Sequence, residues 1–254
     1  MLKKRLIPVL LLEGNDLVKS RRFDDPVYIG DPLNAINIFN DKEVDELVLI
    51  DISATKNKSG INFELLEKVA SECFMPLSYG GGIDNMDQVG SLFSIGVDKV
   101  IINSALNDHD FISELINKYG SQSIVASIDL HVDELDTYYV YSYLDKGIRS
   151  ENIRQYVSQL EELGVGELFI NNVDRDGCQR GYDLNLINRI EPYVSLPVTY
   201  CGGAGSLEDF KLLADNSSVT GLAAGSFFVF IGKYNAVLIS YPSSEDQVYL
   251  LGVS

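Results

Sequence analysis

The chain repeats itself at half its length. Glu46 is matched by Glu167, Gly60 by Gly181 and Pro76 by Pro197, and each pair is separated by 121 residues. Tyr79 and Tyr200, Gly81 and Gly202, and Gly82 and Gly203 keep the same spacing. One offset shared by six identities points to two similar halves joined in one fold. A half with exposed sheet edges cannot stand alone, so the two halves share a single core.

What each half contains follows from its apolar runs. Eight short runs recur: Arg5–Leu12, Glu46–Ile52, Pro76–Tyr79, Lys99–Ile102, Ile124–Ile128, Glu167–Ile170, Pro197–Tyr200 and Gly221–Ala224. They are continuously apolar rather than alternating, as strands buried on both faces are. Amphipathic segments follow them. Asn62–Phe74 and Asp108–Tyr119 carry apolar residues at helical spacing, and Ser206 caps a third segment with Asp209 three residues on. Eight strand–helix units in 254 residues predict a (β/α)8 TIM barrel, one domain over 1–254, built of two half-barrels. The tyrosine-rich stretch Thr137–Leu144 is expected to form a small hairpin after the fifth strand.

Composition narrows the function. A net charge of −17 repels nucleic acid and anionic lipid, so neither is an expected partner. Three cysteines without CxxC spacing, Cys73, Cys178 and Cys201, predict neither a disulfide framework nor a zinc cluster. With only His109 and His131, no histidine-rich metal site is expected, and no cofactor is predicted. The basic, apolar start resembles a signal peptide, but the run is short, holds Pro8 and lacks a cleavage site, so it reads as a buried first strand. A cytoplasmic protein is expected.

The chemistry should sit at the C-terminal strand ends. Gly80-Gly81-Gly82-Ile83 after strand three and Gly202-Gly203-Ala204-Gly205 after strand seven let backbone N–H groups approach an anion. Asn103-Ser104 after strand four and Gly225-Ser226 after strand eight complete two candidate phosphate sites, suited to a small bis-phosphate ligand. Alternatively, the glycines serve only tight turns. Asp51, Asp129 and Asp176 follow strands two, five and six, as acid–base groups or as loop caps. His131 either lines the mouth or stands in a solvated loop. At the opposite strand ends, Arg5, Glu46, Lys99 and Glu167 alternate in sign and can close a salt-bridged ring, which on residue types alone reads as a structural plug.

These residues resemble the cyclase subunit of imidazole glycerol phosphate synthase over nearly the whole chain. The matching segments include Lys4-Arg5-Leu6-Ile7-Pro8, Asp45-Glu46-Leu47-Val48, Tyr79-Gly80-Gly81-Gly82-Ile83, Asp98-Lys99-Val100, Asp174-Arg175-Asp176-Gly177 and Gly181-Tyr182-Asp183. The resemblance implies a (β/α)8 barrel with a glutaminase subunit docked on its floor, near Asp98. It turns the ring into a gate through which ammonia passes to the mouth. It assigns Gly82, Asn103, Ser104, Gly202 and Gly203 to phosphate, Lys19 to a loop that closes on substrate, and Asp129 to catalysis; Gly225 and Ser226 join the expected phosphate set, and Asp176 the expected catalytic set, from their places at the strand ends. The family's strand-one aspartate is replaced by Leu11, and Cys178, Cys201 and Gly225 replace small hydroxyl residues.

A second set of segments is similar to a side branch found with surface-polysaccharide genes. It includes Leu10-Leu11-Leu12, Lys19 through Gly30-Asp31-Pro32, Ser71 through Leu77, Gly203 through Phe210 and Ala236 through Pro242. That likeness implies a subunit passing ammonia, with a glutaminase and a sugar amidotransferase, to an acetamidino sugar. A histidine-pathway cyclase and a non-catalytic scaffold that activates its glutaminase are the other two readings.

Overall fold

The computed structural model describes residues 3–252, so the last two residues at each end of the expected 1–254 domain lie outside them. Eight parallel strands close into a barrel: β1 (Arg5–Glu13), β2 (Leu47–Asp51), β3 (Leu77–Gly80), β4 (Lys99–Ile102), β5 (Ile124–Val132), β6 (Glu167–Asn172), β7 (Val198–Cys201) and β8 (Gly221–Ala224). Each pairs in parallel with the next, and β8 returns to β1 at Arg5↔Gly221 and Ile7↔Ala223. The expected (β/α)8 barrel is the fold, and each of the eight expected runs holds one strand.

Helices form where capping chemistry starts them. Asn62, Asp108 and Ser206 each accept a backbone N–H three residues on, opening the helices Phe63–Glu72, His109–Tyr119 and Leu207–Asn216. The Ser206 cap is reciprocal, since Asp209 reaches back to the cap N–H. Between helices and strands lies the large apolar core, with Tyr79 and Tyr200 fully buried at equivalent positions of the two halves. Inside the barrel a smaller cluster of Ile7, Val9, Val48, Ile101, Val125, Phe169, Cys201 and Ala223 forms an apolar tube.

Two antiparallel arms rise from the mouth. β1 runs past the barrel rim and turns back through the hairpin Asp16–Arg21 and Asp24–Gly30, pairing Leu11 with Val18. Strand β5 likewise extends to Val132 and pairs with Tyr138–Ser142, which pairs with Gly147–Ser150. The second arm is therefore three-stranded and larger than the hairpin expected within Thr137–Leu144. It reuses the barrel strand as its first member, because alternation in His131-Val132 and Tyr138–Tyr141 continues the pleat beyond the rim. The arm tips meet over the mouth, where Phe23 stands edge-on to Tyr143 with ring centroids 6.2 Å apart.

Candidate active site

The barrel floor is closed by the four expected charges. Arg5 bridges both acids, donating to Glu46 and, over 2.8 Å, to Glu167. Lys99 bridges them from the other side, 3.1 Å from Glu46 and 2.9 Å from Glu167. Ser78 donates to Glu46 and Thr199 to Glu167, and these hydroxyls are again 121 residues apart. Burial pushes the Glu167 carboxyl up, but the Arg5 and Lys99 cations outweigh it and hold the group below its ordinary range. The mirror effect raises Arg5, where the two carboxylates outweigh desolvation. Asp98 lies beside the ring, exposed, with one oxygen accepting the Leu77 N–H.

Above the tube opens a cavity of about 230 Å³. Its walls include Leu11, Ile50, Phe169 and Cys201, and its rim carries Gly81, Gly82, Asn103, Ser104 and Gly225. Asp129, at the end of β5, is buried and faces this space. Asn103 donates to one of its oxygens at 3.0 Å and Asn171 to the other at 3.4 Å. Burial raises the Asp129 carboxyl to about 6 despite the opposing Arg149 cation and the two amides. A carboxyl titrating there can give or take a proton near neutrality.

Leu11 occupies the place of a second such group. It pairs in register with Ile50, and Asp129 pairs with Asn171. Ile50 and Asn171 are themselves 121 residues apart, so Leu11 and Asp129 are mates across the half-barrel symmetry. One half offers a carboxylate to the mouth and the other offers a hydrocarbon.

The other candidate acids are engaged. One Asp51 oxygen accepts from Ser53 N, Ser53 Oγ and Ala54 N within 2.9 Å, so Asp51 caps its loop. Asp176 is buried, with Lys19 Nζ at 2.8 Å and Ser20 Oγ at 3.2 Å. Lys19 thus belongs to a strand of the first arm, not to an open loop, and its side chain is almost fully covered. His131 lies in β5 rather than in a solvated loop; Asp174 accepts its Nδ1–H at 2.8 Å, and Tyr139 and Tyr141 stand edge-on to the ring.

The two expected phosphate cradles are unequal. Gly81 and Gly82 are half-buried at the rim, Ser104 is exposed, and all three line the cavity. At Gly81 any Cβ would meet the Asp51 carbonyl at 2.3 Å, so only glycine fits. Gly202, Gly203 and Ser226 are buried and, among the described residues, stand outside the cavity lining. Gly203 packs on Gly181, where a Cβ would meet its carbonyl at 2.2 Å. Gly225 touches the cavity, but the Lys19 chain lies against it.

Two site residues escaped the sequence reading. Arg149, on the second arm, donates to the Asn103 carbonyl at 3.0 Å and brings a cation beside Asp129. Asn171 leaves its buried Oδ1 without a hydrogen-bond partner at the cavity wall. Arg149 has no counterpart in the repeat; Asn171 was findable as the mate of Ile50. Among the described residues no group of three or more His, Cys, Asp or Glu is placed to hold a metal ion, and no helix is long and apolar enough to cross a membrane.

Residues 5–235 match the family model for histidine biosynthesis proteins. A Pseudomonas aeruginosa protein provisionally named imidazole glycerol phosphate synthase subunit hisF2 is 48% identical over 95% of this chain and 97% of its own length. A Leptospira borgpetersenii protein provisionally named subunit HisF is 45% identical over 97% of this chain and 98% of its own. The Staphylococcus carnosus imidazole glycerol phosphate synthase subunit HisF is 37% identical over 89% of this chain and 91% of its own. With the barrel, the floor ring and the mouth carboxyl in place, the chain belongs to the HisF-like cyclase family of imidazole glycerol phosphate synthase.

Proposed function

We propose that this chain is the barrel subunit of a glutamine amidotransferase complex that passes ammonia to an acetamidino-sugar modification rather than to ring closure. A HisH-like glutaminase subunit would dock on the floor around the ring and Asp98. Neutral ammonia suits the tube above it, because an apolar lining strongly disfavours a buried ammonium ion. The observation that carries this reading is Leu11 opposite Asp129. Cyclisation coupled to lyase cleavage needs proton transfer on two sides of the substrate, and leucine supplies none. Loss of one acid–base group commonly costs about 10²–10⁴-fold in rate.

A second reading, a working cyclase of histidine biosynthesis, is favoured by Asp129 titrating near 6 and by the open Gly82, Asn103 and Ser104 rim. A cyclase assay separates the two. Ammonia and the phosphoribulosyl aminoimidazole carboxamide bis-phosphate are supplied to the unmodified chain and to Leu11→Asp. Ammonia delivery to another acceptor predicts no turnover by the unmodified chain. Turnover at ordinary enzymatic rates would overturn it and make this chain a cyclase with a relocated proton donor.

A further inference from the structure

Arg149 reaches the mouth through a break in the second arm. Val140 pairs with Ser150, but the next residue, Tyr141, pairs with Ile148, so Arg149 is the extra residue of a β-bulge. Such a bulge re-aims the side chain it carries. Ile148 faces solvent, 52% exposed, while Arg149 is half-buried and its guanidinium donates to the Asn103 carbonyl at 3.0 Å. Among the described residues this is its one side-chain hydrogen bond, and no carboxylate takes its charge.

What the cation reaches is the mouth carboxyl. The Asn103 amide donates to Asp129 over 3.0 Å and to the Ser127 carbonyl over 3.1 Å. The residue that Arg149 pins is therefore one that orients Asp129. The charged and titratable groups that face Asp129 come from three elements. Arg149 and Tyr141 stand on the second arm, Asp176 after β6 and Cys201 on β7. Lys19, on the first arm, is spent on Asp176. Arg149 is the cation left to favour the ionised form of Asp129 against its burial.

We propose that Arg149 is a positioning residue for the mouth: the second arm carries its cation onto Asn103 and so keeps Asp129 oriented and ionised, ready to accept a proton. The arm is then more than a wall. With the arm displaced, Asp129 keeps its proton near neutrality and serves as an acid. This rests on Asp129 being the proton-transfer group of the mouth and is independent of where ammonia goes.

A pH titration of the full chain, carrying carbon-13 at its aspartate carboxyls, tests it by magnetic resonance. Asp129→Asn assigns the resonance. In the unmodified chain Asp129 is expected to titrate at about 6. Arg149→Met keeps an unbranched side chain without the charge, and should make Asp129 bind its proton about tenfold more tightly. Arg149→Gln keeps a donor for the Asn103 carbonyl without the charge and should do the same, even where the arm needs that bond to fold. Arg149→Lys restores the cation and should recover most of the difference, which a purely structural role would not. All three are checked for native circular dichroism. An Asp129 titration unmoved in the folded uncharged variants overturns the proposal, as does a lysine variant that titrates as they do. Neither ammonia nor a glutaminase is present, so failure here leaves the ammonia reading standing, and the converse holds.

Discussion

Lys19 Nζ stands 2.8 Å from Asp176 Oδ1 with both side chains nearly buried, and this pair ties the first arm to the loop after β6. Removing one partner strands the other charge away from water. Asp176→Ala is therefore expected to destabilise the fold by about 3–5 kcal/mol in urea denaturation. Replacing both residues by alanine leaves no orphaned charge and should cost less than either single change. A double variant as damaged as the sum of the singles would show that the two residues act independently.

The barrel was legible because its signals are local and repeated. Continuous apolar runs marked all eight strands, and Asn62, Asp108 and Ser206 marked helix starts through single side-chain bonds. The floor ring was legible because Arg5, Glu46, Lys99 and Glu167 sit next to those runs, so strand register alone brings them together. The arms were not. Whether β1 stops at Leu12 or turns back through Val18 depends on what the hairpin packs against, and Lys19 meets Asp176 across 157 residues of sequence. The burial of Gly202 and Gly203 could not be read from their repeat mates either. The repeat predicts equal cradles, but Gly203 is buried against Gly181 while its mate Gly82 stays half-buried at the rim.

Asp129 should make stability depend on pH in an uncommon direction. Its carboxyl titrates near 6 in the folded chain and near 3.9 when unfolded. Between those values the folded state holds its proton more tightly, so stability falls as pH rises from about 4 to about 6 and is level above. Asp129→Asn removes that slope and should stabilise the chain at pH 7 by roughly 2–3 kcal/mol. Urea midpoints at pH 4, 5, 6 and 7 read this directly. A variant that keeps the slope would assign it to another group.

Glu167 carries the opposite sign. Its folded carboxyl lies below the ordinary range, so its contribution is present above about pH 4.3 and is lost as pH falls through the folded value. Glu167→Gln leaves Arg5 and Lys99 with Glu46 alone and should cost about 3 kcal/mol at pH 7. Its acid-unfolding curve should also be shallower below pH 4.3 than that of the unmodified chain. An equal acid limb would place the ring's stabilisation elsewhere.

Cys201 reports on whether the floor ring seals the tube. The thiol lies in the tube wall, 4% exposed, and burial pushes it up to about 12. Thiolate is the reactive form, so Cys201 should react with a small methylthiolating reagent at least about 10²-fold more slowly than an ordinary thiol at pH 7.5. Cys178, half-buried, serves as the reference in the same chain. Arg5→Ala removes one of the two cations that bridge Glu46 and Glu167 and opens the floor. Water and reagent then reach the tube from below, the wall is better solvated, and Cys201 labelling should accelerate while Cys178 labelling holds its rate. Labelling followed by peptide mass mapping separates the two sites. Acceleration at Cys201 alone identifies the ring as the seal of the tube. No change in a folded Arg5→Ala variant would mean that the apolar wall excludes solvent without it, and the ring would then be a stabilising plug.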